Sequence, residues 1–133
     1  MDSKIALRRE ELKHALSKVR EIEWIDSSRL VLAGFSEGGQ AVANWSGKEF
    51  IAHVLLGTDC RFENFSPNAP PDIPVLNIVG SRDEYGYGDG CVISDKRPGG
   101  SKRVIVQGGD HSMSNSEIPR LAIGEFLRAC CAQ

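Results

Sequence analysis

The feature that most constrains this chain is an apolar run, Leu30 to Ala33, that stops at the sequence GFSEG, residues 34–38. Such a run is typical of a parallel strand buried on both faces. The G-x-S-x-G spacing predicts a sharp turn from this strand into a helix, with glycines where side chains would clash. Ser36 would then be held in a strained backbone and exposed as a nucleophile, which indicates acyl-transfer hydrolysis. The alternative is a glycine-rich turn that binds nothing.

The remaining patterns predict one α/β domain over residues 1–133. We expect helices at 3–22, 37–46 and about 114–131, the last opening with a Ser114/Glu117 capping box. We expect strands at 29–34, 51–56, 75–79 and 102–107. Apolar parallel strands with covering helices form an α/β three-layer sandwich, here with a mostly parallel sheet of about four strands.

Two further groups suited to hydrolysis follow predicted strands. Asp83 comes after the third strand and His111 after the fourth. Because parallel strands end at one edge of a sheet, we expect both beside Ser36. The order Ser36, Asp83, His111 is typical of α/β-hydrolases, with Ser36 as the nucleophile, His111 as the base and Asp83 orienting it. Glu84 or Asp89 could replace Asp83 as the acid.

Other residues near the predicted site have secondary or uncertain roles. The backbone amide of Glu37 follows the nucleophile and would be one oxyanion donor. We expect Asp110 to point away from His111, and His14 and His53 to lie too far from the strand ends. Four loop aromatics could line a pocket or serve local packing: Phe62, Phe65, Tyr85 and Tyr87.

Composition and spacing exclude several classes of function. Lys and Arg number 16 and Asp and Glu 18, for a net charge of −2, without a basic stripe, so we expect no nucleic-acid binding. No run reaches transmembrane length and no signal peptide is visible, so we expect no membrane contact and a cytoplasmic location. Scattered histidines and a glycine-rich stretch without a following helix predict neither a metal nor a cofactor.

The chain has four cysteines in two contrasting settings. Cys60 and Cys91 each follow a predicted strand on the same edge of the sheet and could meet. Cys130 and Cys131 lie in the last predicted helix, where we expect them to serve packing.

Three segments resemble the α/β-hydrolase superfamily, nearest its dienelactone hydrolase-like and serine esterase branch: EWIDSSRLVLAGFSEGGQA, PVLNIVGSRDE and VIVQGGDHS. The resemblance implies a serine hydrolase that cleaves small carboxylic esters or lactones. Dienelactone hydrolase itself has cysteine where this chain has Ser36. Some relatives carry cysteines at places corresponding to Cys60 and Cys91, so the resemblance favours a disulfide there but leaves it open.

The resemblance covers only the C-terminal half of the family's eight-stranded fold. It therefore implies a truncated domain, no source for the second oxyanion donor, and weak activity. The strand from Arg29 to Ala33 would be an unprotected edge, so we expect a homodimer in which two such strands pair across a twofold axis. The alternatives are an impaired hydrolase acting as a dimeric binding or interaction module, and acyl transfer to an acceptor other than water.

Overall fold

The computed structural model describes residues 3–131, which form three helices around one four-stranded sheet. The elements are α1 (Ser3–Val19), β1 (Val31–Phe35), α2 (Glu37–Asn44), β2 (Ala52–Leu56), β3 (Val75–Gly80), β4 (Lys102–Val106) and α3 (Ile118–Cys131). All neighbouring strands are parallel, in the spatial order β1-β2-β3-β4. This confirms the predicted α/β architecture and the parallel sheet.

The sheet separates two hydrophobic clusters, which gives the three predicted layers. On one face α1 and α2 pack against the sheet, with Leu16, Val42, Leu55 and Val75 among the buried residues. On the other face α3 covers the sheet with Ala122 and Phe126. Successive strand residues point to opposite faces, so Leu55 belongs to the first cluster while Val54 belongs to the second.

Burial along the strands depends on their place in the sheet. Strand β3 is buried at every residue, and β2 at every residue except Leu56. In β1 only Leu32 is buried, whereas Ala33 is exposed. The prediction that the apolar run before Ser36 is buried on both faces is therefore wrong, because β1 has one strand neighbour and lies at the edge of the described sheet.

The start of the last helix also differs from the prediction. Helix α3 begins at Ile118, whose N–H donates to the hydroxyl of Ser116 at 3.2 Å. The predicted capping box does not form. The Ser114 hydroxyl accepts a hydrogen bond from a neighbouring loop serine, and the Glu117 carboxylate pairs with Arg120. Ser116 satisfies the exposed helix amide in place of Ser114.

Helix α1 is shorter than its apolar pattern predicts. It ends at Val19 rather than at residue 22, and turns then lead to β1. Within residues 3–131, no helix is long and apolar enough to cross a membrane.

The cysteines form two bonded pairs. Cys60 and Cys91 are joined with their Cα atoms 4.9 Å apart, and both are fully buried in the cluster under α1 and α2. Their bond ties the loop after β2 to the segment before β4. Cys130 and Cys131 lie against the other cluster, as expected for packing residues, and their sulfurs are also bonded to each other.

Candidate active site

The backbone of Ser36 is held in a conformation that is rare for a residue with a side chain. Its φ is 55° and its ψ is −118°. The Ser36 N–H donates to the carbonyl of Leu56 at 2.8 Å, and the Ser36 carbonyl accepts from the amide of Gln40 at 3.0 Å. These bonds fix Ser36 between β2 and the first turn of α2. Backbone strain of this kind is concentrated at functional sites.

Close packing at this turn requires glycine at two positions. A Cβ atom on Gly34 would overlap the carbonyl of Gly38. A Cβ atom on Gly39 would lie 2.7 Å from Cγ2 of Thr58. A Cβ atom on Gly38 itself would meet nothing within 4 Å, so the prediction of steric need is wrong for that motif glycine. Gly39, one residue further along, is the glycine that faces the sheet. A side chain at position 38 would point into open space.

The structure brings Ser36, His111 and Asp83 together in one chain of hydrogen bonds. His111 Nε2 lies 2.9 Å from Ser36 Oγ. His111 Nδ1 lies 2.7 Å from Oδ2 of Asp83. The side chain of Asp83 is 0% exposed and that of His111 is 11% exposed. The carboxylate is thus shielded from water, while a small part of the imidazole remains exposed.

The three carboxylates considered for the acid have different positions. Asp83 contacts the His111 ring, and its second oxygen accepts the N–H of Tyr85 at 2.8 Å. Glu84 Oε2 instead accepts the backbone N–H of His111 at 3.0 Å. Asp89 contributes its backbone carbonyl to Arg103. Glu84 therefore positions the histidine loop, a role that the sequence did not indicate.

A glycine lets the Asp83 and His111 loops approach each other. A Cβ atom on Gly80, at the end of β3, would overlap the carbonyls of Gly109 and Asp110. The Asp110 side chain turns back on its own loop, where Oδ1 accepts the N–H of Met113 at 2.7 Å. Asp110 therefore points away from the His111 ring, as predicted.

The two polar groups of Glu37 have separate surroundings. Its carboxylate pairs with Arg8 of α1 at 2.9 Å, away from the serine. Its amide opens α2, where the first N–H groups have no acceptor within their own helix. An amide there can donate to a negative oxygen that develops on a substrate bound at Ser36.

The other two histidines are on different parts of the fold. His14 is exposed on α1, and its backbone carbonyl accepts a hydrogen bond from Ser17. His53 is fully buried in β2 beside Phe50, and neither ring nitrogen has a hydrogen-bond partner among the described residues. Burial, together with the charge of Arg97, lowers the pKa of His53 to about 4.

Three aromatic rings surround the imidazole of His111. The ring centroids of Tyr85, Phe35 and Tyr87 lie 4.7, 4.9 and 6.0 Å from the centre of the imidazole. The two tyrosines are among the loop aromatics singled out in the sequence. Phe35 was missed, although its place beside Ser36 in the turn was a signal that its ring would lie at the site.

No protein-family model matches the chain, and no curated protein matches it. The geometry of the site is what indicates its chemistry. A hydroxyl, an imidazole and a buried carboxylate in line are the groups needed to activate a serine oxygen and to return its proton to a leaving group.

Proposed function

We propose that the protein is a serine hydrolase of the α/β-hydrolase superfamily that cleaves small carboxylic esters or lactones. The observation that carries the proposal is the hydrogen-bond chain from Ser36 Oγ through His111 to Asp83. A serine hydroxyl is a weak nucleophile near neutral pH and needs such a base, correctly oriented, to react. The strained backbone of Ser36 supports the same assignment.

In the proposed reaction, Ser36 Oγ attacks the ester carbonyl while His111 Nε2 removes its proton. The tetrahedral intermediate collapses, the bond to the alcohol oxygen breaks, and His111 returns the proton to that oxygen. Water then attacks the acyl-enzyme in the same way, which releases the acid and regenerates Ser36. Asp83 holds the imidazole through Nδ1 and stabilises its protonated form.

The oxyanion of each intermediate would be held by the amide of Glu37 at the start of α2. Removing one donor from an oxyanion site typically reduces turnover by about a hundred- to a thousandfold. The backbone around Ser36 offers one such donor, the Glu37 amide, so we expect slow turnover, and activated esters should be the best substrates. If the acyl group were transferred to an acceptor other than water, only the second attack, on the acyl-enzyme, would change.

The test is hydrolysis of p-nitrophenyl acetate by the wild type and by Ser36→Ala, with Ser17→Ala as a matched control on the exposed side of α1. We expect Ser36→Ala to lose the protein-dependent rate and Ser17→Ala to keep it. A fluorophosphonate should label the wild type and the control but not Ser36→Ala. Equal rates for the wild type and Ser36→Ala would refute the proposal.

A second candidate function is that of a dimeric binding or interaction module, and the edge of the sheet favours it. The Leu30 carbonyl and the Ser36 amide both bond toward β2. Because backbone groups alternate in direction along a strand, those of Val31, Ala33 and Phe35 face the opposite edge. No strand of the described residues 3–131 pairs with that edge.

Apolar grooves flank the same edge. Two cavities of about 220 and 150 Å³ share Leu12 and Ala15 of α1, and their β1 linings are Ala33 in the first and Val31 with Leu32 in the second. An open strand edge beside apolar surface is a template for pairing with another chain. We propose a homodimer through the edge around Arg29 to Ala33, in which a second copy adds its β1 antiparallel across a twofold axis.

Sedimentation velocity at micromolar concentration tests the dimer. Ala33→Pro removes an amide that faces the open edge and leaves the pairing with β2 intact, so it should shift the protein toward monomer. Ala33→Ser keeps the amide and serves as its control. A wild type that sediments as a monomer at these concentrations would contradict the proposed interface.

The cytoplasmic location stays a prediction. The bond between Cys60 and Cys91 is the observation against it, because disulfides persist mainly in oxidising compartments. Thiol labelling of the protein in intact cells would decide the matter: a cytoplasmic protein should have both cysteines reduced and reactive after denaturation.

A further inference from the structure

The rings around His111 form a wall that remains open to solvent. Tyr85 is 65% exposed and Phe35 is 46% exposed, although both rings contact the imidazole. Tyr85 meets it edge-on, with an angle of 71° between the rings. Rings that served only to bury the histidine would themselves be covered. These rings instead present free aromatic surface beside the reacting nitrogen.

The wall is fixed relative to the proposed catalytic groups. Phe35 precedes Ser36 in the turn, and its ring lies close enough to Gly57 that a Cβ there would come within 2.7 Å of it. The Tyr85 amide donates to the Asp83 carboxylate at 2.8 Å. Two of the three rings are thus carried by the turns that hold the serine and the acid.

Tyr87 is held from both sides. Its hydroxyl accepts a hydrogen bond from Gln40 Nε2 of α2 at 2.9 Å. The guanidinium of Arg61 lies 4.9 Å from its ring centroid. Because Arg61 is itself paired with the nearly buried Asp59 at 2.8 Å, its charge is balanced within the protein. This pairing argues against a subsite for an anionic group and leaves an aromatic surface with no net charge.

We propose that this wall, formed by Phe35, Tyr85 and Tyr87, binds an aromatic ring on the alcohol side of the ester. The inference rests on the proposed hydrolase function. His111 Nε2 must pass its proton to the leaving oxygen, so the alcohol part of the substrate lies beside the imidazole and against the rings around it. An aryl or arylmethyl group there makes edge-to-face or offset contacts with the exposed rings.

The selectivity is measured by comparing benzyl acetate with cyclohexylmethyl acetate. The two esters have the same acyl group and similar size and both release a primary alcohol, so they differ chiefly in the aromatic ring. Aromatic contacts of this kind are worth about a two- to tenfold preference per ring pair. We expect the wild type to favour benzyl acetate in kcat/KM by several fold. A ratio near one in the wild type would overturn the proposed subsite.

Two variants separate substrate recognition from shielding of the histidine. Tyr85→Leu should bring the ratio of the two rates toward one, whereas Tyr85→Phe, which keeps the ring, should retain the preference. Phe62→Leu is the matched control, because Phe62 is equally exposed, at 64%, and has no ring contact with His111 in the described structure. A Tyr85→Leu variant that slowed both esters equally would show that the ring only supports His111.

Failure of this proposal can be told from failure of the proposed function. Ser36-dependent hydrolysis of p-nitrophenyl acetate without a preference for benzyl acetate would overturn the aromatic subsite alone. Absence of any Ser36-dependent hydrolysis would overturn both.

Discussion

Two sets of buried polar side chains in this protein have opposite surroundings. Asp83 and His111 are almost fully buried, and both are satisfied by hydrogen bonds along the line that ends at Ser36. His53 and Glu63 are buried to a similar degree, but within residues 3–131 neither the ring nitrogens of His53 nor the carboxylate oxygens of Glu63 make a hydrogen bond of normal geometry, and Glu63 has only an interaction with the Asn44 side chain. The two sets are buried to a similar degree, and they differ in the hydrogen bonds that their polar atoms make.

The comparison shows that burial has two distinct consequences. Where partners are present, burial fixes a polar group in one orientation, which is what a proton transfer requires. Where partners are absent, burial disfavours the charged form and the cost falls on stability. Burial accordingly lowers the pKa of His53 and raises that of Glu63. We therefore expect changes in the first set to alter activity and changes in the second to alter stability.

The largest expected effect is that of Asp83→Asn on activity. Loss of the carboxylate removes the charge that stabilises protonated His111 and favours the wrong tautomer of the ring. A change of this kind in a serine triad reduces kcat by about ten thousandfold. The measurement is kcat for p-nitrophenyl acetate with circular dichroism as a check on folding. Asp89→Asn is the matched control, and a loss of similar size in that variant would contradict the assignment of the acid.

The next largest effect is the contribution of His53 to the loss of stability at acid pH. Between about pH 6.5 and pH 4 the unfolded chain binds a proton at this residue and the folded chain does not, so stability should fall as pH falls through that range. The difference between the pKa of His53 in the unfolded chain and in the folded chain corresponds to about 3 kcal/mol in the free energy of unfolding. Arg97 opposes protonation of His53 and Glu49 favours it.

Urea unfolding at pH 7, 5.5 and 4 measures this contribution. His53→Leu places an apolar side chain beside Phe50 and should remove most of the pH dependence in that range. His14→Leu, on the exposed face of α1, is the control and should leave it unchanged. If wild type and His53→Leu lost stability in parallel on acidification, His53 would not be the group responsible.

A smaller effect on activity is expected at Glu84. Its carboxylate holds the backbone of the histidine loop rather than the His111 ring, so Glu84→Ala should lower kcat by at most about a hundredfold, the loss expected when a proposed catalytic group is misplaced by about 1 Å. Glu84→Gln keeps an oxygen that can accept the His111 N–H and should restore most of the rate. Equal losses in the two variants would show that charge, and not the hydrogen bond, is what Glu84 supplies.

The smallest expected effect is that of Glu63→Gln on stability. Because burial raises the pKa of Glu63, the folded state binds this proton more tightly than the unfolded state, and stability is lost as pH rises above the ordinary carboxyl range. The neutral glutamine should therefore raise the urea concentration at the midpoint of unfolding at pH 7 and have little effect on it at pH 4. A variant equally destabilised at both pH values would indicate that a glutamine side chain simply does not fit at this position.

Much of the candidate site could be predicted because it depends on strand ends. Ser36, Asp83 and His111 follow strands of one parallel sheet, and parallel strands all end at one edge, so three residues distant in sequence are brought to the same edge. The α/β fold followed from the same apolar runs. The open edge at β1 was also expected, whereas the exposure of Ala33 on that strand was not, since an apolar run looks the same in an edge strand and a central one.

The remaining features depend on where loops place individual atoms. Asp83, Glu84 and Asp89 lie within seven positions, and the turn after β3 decides that the first binds the His111 ring and the second its backbone. Packing against Thr58, a contact between distant segments, makes Gly39 rather than Gly38 the second steric glycine. The bond between Cys60 and Cys91 likewise required two loops to meet.

The sequence by itself determined the strand order along the chain and the residues that end each strand, because local periodicity and turn chemistry set these features. Only the tertiary structure decided which carboxylate meets the imidazole and which buried polar groups lack partners. It also placed the aromatic rings beside His111. These outcomes depend on contacts between segments far apart in sequence, where a shift of one residue in a loop changes the direction of a side chain.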